Sequence, residues 1–223
     1  MIIERTLKNM IENKKFTNVY FVNENAYAGK STLVKYLANK YNAILCEENY
    51  HNQLVNQLDA KEYPNLTYTR DLDDWSKFIR RKPSEYNEWI EGCNKECTIL
   101  EIKILEELCK TDKIIFVDTN ISLEKLKEIS DINHVLIMLE DIDVSVNRFF
   151  DRPDKDKQFL YQLLLRESNP TQAINNFKEC LKLINSEKKY NEFLNSGFNV
   201  IKKDNNRTIE ETCLIAERFF KLI

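Results

Sequence analysis

Gly29-Lys30-Ser31-Thr32 carries the strongest chemical signal in this sequence. The run closes a phosphate-binding loop of the form G-x-x-x-x-G-K-[ST], whose middle is Asn25, Ala26, Tyr27 and Ala28. Such a loop turns backbone N–H groups and the positive end of a helix toward phosphate oxygens. Asn25 to Thr32 are therefore assigned to nucleotide phosphates. Lys30 runs along the terminal phosphates and Ser31 offers its hydroxyl to Mg²⁺, so ATP and Mg²⁺ are the expected cofactors. One position departs from the pattern: Glu24 stands where the first glycine belongs. A carboxylate at a phosphate-binding turn is unfavourable unless it points away, and a Cβ narrows the backbone's freedom. Two outcomes are open. Either Glu24 turns outward and the backbone still cradles phosphate, which is the reading taken, or the loop has left catalysis.

Other groups fit the same chemistry. Lys113-Ile114-Ile115-Phe116-Val117 ends in Asp118, and an acid at a strand end after such a loop faces Mg²⁺ or its water shell. Glu47 and Glu48 follow the short apolar run Ala43-Ile44-Leu45-Cys46. They stand at the carboxyl end of a strand, where ligands of parallel α/β sheets lie, provided that strand neighbours the first. Arg148 and Arg152 end a helix that runs back from the fourth strand, and guanidinium groups there suit the charge of a transferring phosphoryl group. A solvated charged face is the alternative, because Asp151, Asp154 and Asp156 interleave.

These groups need a scaffold, and the hydrophobic pattern supplies one. Apolar runs at 18–23, 42–46, 113–118, 134–139 and 198–201 read as five strands. Helical spacing follows the loop to about Tyr41, with Leu33, Val34, Leu37 and Ala38 on one face. A short helix is expected at 4–14, and others over 71–81, 141–151, 170–195 and from Thr208 onward. The spacing allows a break near Asn185-Ser186. Ser122 and Thr208 read as helix caps with early acids. Strands alternating with helices imply a three-layer α/β fold, a five-stranded parallel sheet with helices on both faces.

Between the second and third strands the chain spends about sixty residues on helical pattern, where a crossover needs about a dozen. Residues from about 50 to 110 are read as an inserted helical subdomain for substrate, within a single domain spanning 1–223. Its rings, Tyr63, Tyr68, Trp75, Phe78, Tyr86 and Trp89, either pack the insert's own core or stack on a planar substrate group. Arg70, Arg80 and Arg81 are solvated or bind an anionic acceptor such as a monophosphate.

Composition narrows the classes. The chain has 223 residues, 43% hydrophobic and 31% charged, as globular domains have. Its net charge is −3 with no sustained basic stripe, so nucleic acid is not an expected partner. No apolar stretch approaches a membrane span, and the first residues do not form a signal peptide. The six scattered cysteines suit a reducing, cytoplasmic setting. Cys93 and Cys97 share a helix face. Zinc would need two further ligands there, and His51 and His134 are the only histidines, so packing is the reading taken. A small-molecule acceptor is the expected partner, and the chain is a monomer or a homodimer.

The whole pattern resembles the P-loop small-molecule kinases, the group that holds nucleoside, nucleotide and shikimate kinases. Gly29-Lys30-Ser31-Thr32 and Val117-Asp118 carry the resemblance first. Glu47-Glu48-Asn49-Tyr50 is similar to the acidic Asp-x-Phe-Tyr element of uridine-type and nicotinamide-riboside-type kinases. By the register of the tyrosine, that resemblance makes Glu47 the acid that activates the acceptor hydroxyl, with Glu48 the other candidate. The segment at about 150–170 resembles an arginine-bearing lid. Lys203 to Thr208 resembles the loop that lies against adenine, which implies Asn206 and Arg207 as nucleotide contacts. The resemblance implies an ATP-dependent phosphotransferase acting on a hydroxyl or monophosphate of a small metabolite. GTPase signatures such as Asn-Lys-x-Asp are absent from the sequence. An ATP-binding sensor without transferase activity, favoured by Glu24, and an interaction module with a vestigial loop are the other readings.

Overall fold

A computed structural model describes residues 16–24, 27–151 and 155–223. The helix expected at 4–14, with Asn25, Ala26 and Arg152, lies outside the described residues. Five strands form one sheet: β1 (Val19–Glu24), β2 (Ile44–Cys46), β3 (Ile115–Asp118), β4 (Val135–Leu139) and β5 (Asn199–Lys202). Every pairing is parallel and the order is β2-β3-β1-β4-β5. β1 is therefore central: the connection leaving it runs to β2 at one edge, and the connection leaving β4 runs to β5 at the other. That switch point opens a crevice at the carboxyl end of β1, where open α/β sheets bind their ligands.

The alternation along each strand explains the layers. Ile115 and Val117 of β3 face one side of the sheet while Phe116 faces the other, and Val135, Ile137 and Leu139 of β4 oppose Leu136 and Met138. The Phe116 side is covered by α1 (Lys30–Lys40) and α10 (Ile209–Phe219), through Leu33, Val34, Leu37, Cys213 and Ala216. The Val117 side is covered by the later part of α4 (Pro83–Leu108), by α5 (Leu123–Ile129) and by α9 (Glu187–Leu194). α5 starts at Ser122, whose side chain accepts the Lys125 N–H, and α10 at a reciprocal Thr208–Glu211 capping box.

A third cluster lies off the sheet. Phe78, Ile79 and Tyr86 pack against Val146, Leu164, Phe177, Cys180 and Leu181. The helical subdomain thus combines the insert, with its short α2 (Asn52–Val55) and α3 (Ser76–Ile79), with α6 (Ile142–Asn147), α7 (Lys155–Leu165) and α8 (Pro170–Ile184). Two expected helices are shorter than their patterns suggested, since only 76–79 of 71–81 and 142–147 of 141–151 are helical. The break between α8 and α9 falls at Asn185-Ser186.

The turns at 63–67 are held by a buried carboxylate. Glu96 accepts the Asn65 and Leu66 N–H groups and the Asn65 side-chain amide. α4 passes so close that a Cβ on Gly92 would sit 2.4 Å from the Asn65 side chain, and this contact requires glycine.

Candidate active site

β1 ends at Glu24 and α1 starts at Lys30, so the loop spans the mouth of the crevice. Gly29 takes φ +101°, a left-handed conformation that glycine adopts without a steric penalty, and Tyr27 takes φ +77°. The loop is tied from both flanks. The Tyr27 hydroxyl donates to the Arg148 carbonyl, and the Lys203 ammonium donates to the Tyr27 carbonyl at 3.0 Å while pairing with Glu140 at 2.9 Å.

Glu24 does not turn outward. Its carboxylate lines the crevice and accepts the backbone N–H of Lys30 at 2.9 Å. That N–H opens α1 and points where an anion would be bound, so the carboxylate stands in the position the loop offers to phosphate. The expectation of an outward side chain is corrected here, and the cause is local. With a carboxylate six residues before an unsatisfied helix N–H, the chain satisfies the donor from within. Burial raises the Glu24 pKa above the ordinary carboxylate value, against the pull of the Lys30 charge and of this hydrogen bond.

Lys30 is equally committed. Its side chain is buried, and its ammonium reaches Asp118 Oδ1 at 2.8 Å, the Thr119 carbonyl at 3.1 Å and Asn120 Oδ1 at 3.0 Å. Three acceptors match the three ammonium protons. Burial presses the ammonium toward neutrality, but the charges of Asp118, Glu24 and Glu48 outweigh it and hold the pKa above the usual lysine value. The lysine thus lies down against the end of β3. Both Asp118 oxygens are buried without a well-formed hydrogen bond from any described residue; Oδ1 meets the ammonium as an ion pair, and Oδ2 has no ion-pair contact of its own. An orphaned carboxylate oxygen facing a cationic site fits a role toward Mg²⁺ or its water, with the half-buried Ser31 at the start of α1 as the other donor.

Two chambers open over this floor. The first, about 410 Å³, is lined by Glu24, Tyr27, Lys30, Asn23, Phe149 and Lys157, among others. The second, about 770 Å³, lies against the insert, with Trp75, Phe78, Trp89 and Phe159 on its apolar side and Asn49, Asn52, Asn56 and Asn65 among its polar groups. Both fall in the usual size range of small-molecule sites. Glu48, Ile90, Asn94 and Asn120 line both chambers, so the two meet there. The insert's rings also pack on one another, Phe78 lying 4.9 Å from Trp89 and 5.7 Å from Trp75 between centroids. Core packing and cavity wall are two sides of the same rings.

The two acids after β2 part company. β2 lies at the sheet edge beside β3, not beside β1. Glu47 projects into solvent, paired with Lys35 of α1 at 2.9 Å, whereas Glu48 lines both chambers and acts on Lys30 and Glu24 through its charge. Arg148 is displaced as well. α6 stops at Asn147, which turns the guanidinium into solvent 3.9 Å from Asp151. Among the described residues of this stretch, the cation that lines the crevice is Lys157, packed over the rings of Tyr27 and Phe149. Asn206 and Arg207 line a separate shallow hollow with Glu211 and Arg218, and the Arg207 guanidinium caps the Lys202 carbonyl. Thr32 is exposed at the start of α1 and Ala28 is buried beneath the loop.

Asn120 and Lys157 were not singled out from the sequence. For Asn120 a signal existed, because the residue two past a strand-end acid falls on the same crevice. Lys157 belongs to the basic run that follows Arg148 and Arg152, where the arginines are the residues preferred and interleaved acids blur the signal.

No protein-family model matches the chain, and no curated protein matches it. Solved structures do. A shikimate kinase from Bacteroides thetaiotaomicron superposes with a TM-score of 0.51 at 14% identity, covering 91% of this chain and 98% of that one. The fold is a three-layer α/β P-loop fold. A deoxyadenosine kinase from M. mycoides, with bound dATP, superposes with a TM-score of 0.47 at 11% identity over 92% of this chain and 98% of its own. Among the described residues no helix is long and apolar enough to cross a membrane.

Proposed function

We propose that this chain is a small-molecule kinase that moves the γ-phosphoryl group of ATP to a hydroxyl or monophosphate of a small metabolite. The observation that carries the reading is the junction of two chambers at Glu48 and Asn120, the latter accepting a hydrogen bond from the Lys30 ammonium. One is rimmed by a phosphate-type loop and the other by an aromatic and amide wall, with a carboxylate, Glu48, between them. Phosphoryl transfer needs such a meeting of donor space, acceptor space and base.

In this reading the loop N–H groups and Lys30 hold the nucleotide's phosphates once Glu24 has left the Lys30 N–H. Asp118 and Ser31 hold Mg²⁺, which when bound neutralises the charge of the transferring group. Glu48 orients the acceptor hydroxyl and takes its proton, the role that Glu47 cannot fill from the outer face of α1. Lys157 supplies the positive charge expected of the lid-like stretch, and the stacked rings of the insert with Asn94 and Asn120 position the acceptor and exclude water.

Glu24 favours a second reading, an ATP-binding sensor that transfers nothing, because its carboxylate occupies the anion position. The deciding experiment measures ATP consumption and product mass across nucleosides, nucleoside monophosphates, sugars and other polyols, with wild type and Glu24→Ala side by side. Phosphorylated product from either protein, lost in Glu48→Gln, supports the kinase. ATP binding with no phosphorylated product in any case overturns it for the sensor.

A further inference from the structure

Beneath the second chamber, three buried side chains of metal-ligating type converge. His51 follows the turn after β2, and Cys97 and Glu101 lie one turn apart on the same face of α4. Their exposures are 3%, 4% and 2%. His51 Nδ1 lies 2.8 Å from Glu101 Oε1, and one ligand atom from each of the three lies within 4.8 Å of the others. None of the three enters the phosphoryl-transfer reading, and the apolar packing expected for Cys97 does not explain a buried histidine and carboxylate beside it.

We propose that His51, Cys97 and Glu101 form a zinc site. A tetrahedral Zn²⁺ with bonds of about 2.0–2.3 Å sets its ligand atoms about 3.3–3.6 Å apart. The observed cluster brackets that spacing: the nitrogen–oxygen pair must open by roughly half an ångström and the sulfur must move inward by at most about 1.2 Å. Side-chain rotation covers both. One nitrogen, one thiolate sulfur and one carboxylate oxygen form a borderline-soft set that suits zinc over magnesium or calcium.

Burial pushes the Cys97 thiol pKa well up, which keeps the metal-free sulfur protonated and inert. Binding therefore exchanges an S–H bond for an S–Zn bond, and the proton leaves to solvent. His51 and Cys97 also line the second chamber, so the fourth coordination position opens toward it. Three protein ligands with an open fourth place are the arrangement of zinc sites that bind water or substrate. On the other side the Thr119 hydroxyl lies 3.5 Å from Glu101 Oε2 while its carbonyl takes a Lys30 proton. The site thus backs directly onto the phosphate floor. It does not depend on the kinase reading.

The test uses the reduced full-length chain, stripped with chelator and titrated with Co²⁺ alone. One Co²⁺ per chain, with a near-ultraviolet thiolate-to-metal band and visible bands of tetrahedral intensity, is the expected result. Cys97→Ser should abolish the thiolate band and His51→Ala should weaken Co²⁺ binding at least tenfold, while Cys93→Ser, from the same chamber wall, keeps both. A measurement on wild type alone covers the case of variants that fail to fold. Added Zn²⁺ should displace Co²⁺ from the wild type and bleach the thiolate band. Absence of a thiolate band with wild type, a band that survives in Cys97→Ser, or a band that Zn²⁺ leaves unchanged overturns the site.

Discussion

Replacing Glu24 by alanine should tighten nucleotide binding, although it removes a hydrogen bond from the folded protein. A phosphate oxygen and the Glu24 carboxylate cannot both take the Lys30 N–H. Nucleotide must first displace the internal anion, so its observed affinity is lowered by whatever the internal contact contributes. A hydrogen bond to a charged partner is worth about 1.5–3 kcal/mol net. Removing it should lower the Kd for Mg·ATP by roughly 10- to 150-fold. Glu24→Gln keeps the shape and an acceptor oxygen but drops the charge, so its Kd should fall between those of wild type and the alanine variant. Isothermal titration with Mg·ATP and with inorganic triphosphate reads both constants, and the gain should appear with triphosphate alone because it concerns the phosphates. An alanine variant that keeps its circular dichroism and thermal unfolding yet binds Mg·ATP no tighter than wild type would refute the competition argument.

Other expectations concern the floor and the rim of the same crevice. Lys30→Met leaves the buried Asp118 charge unpaired, a loss of about 3–5 kcal/mol and roughly 6–20 °C in Tm; adding Asp118→Asn should restore most of it, and a double variant no more stable than the single would contradict the pairing. Glu48→Gln should lower kcat at least about 100-fold while Glu47→Gln stays within about twofold, and equal losses would return the base role to the outer acid. Glu24 also has a pH signature. Its folded pKa lies above the ordinary 4.5, so the native state holds the extra proton between those values and the wild type loses stability as pH rises through that window. The Tm difference between Glu24→Gln and wild type should therefore increase as pH climbs above about 4.5, and a difference that is flat in pH would show that Glu24 is not buried as a charge.

Much of the scaffold was readable because its signals are local. Strand runs with Phe116 opposed to Ile115 and Val117, a glycine ahead of Lys30 and the capping box at Thr208 each act over a few residues. The pieces that sequence left open depend on distant partners. Glu96 holds the turns at 63–67 from thirty residues away, which a propensity argument over 71–81 does not contain. Strand order is likewise non-local. The placing of the two acids was conditional on β2 lying beside β1, and β3 comes between them and leaves the acids at the sheet edge. Glu47 and Glu48 lie past the end of β2, where the turn sends one carboxylate toward Lys35 and the next into the crevice. Glu24 illustrates a different limit. Its type was read correctly as a conflict with phosphate, but its direction is set by an unsatisfied N–H at Lys30.

The central position of β1 also dictates when this site comes into being. Val19 pairs with Ile115 and Phe21 with Val135, so the strand that carries the phosphate loop has no hydrogen-bonding neighbour among the hundred or so residues that follow it. On a ribosome β1 must wait, apolar on both faces, until β3 and β4 have been made, and the helical insert waits too, because its core partners Val146, Leu164 and Phe177 come later still. The loop is written near the start of the chain and assembled near the end of folding. Variants that slow β3 or β4 should therefore be lost to aggregation before they are seen as weak nucleotide binders.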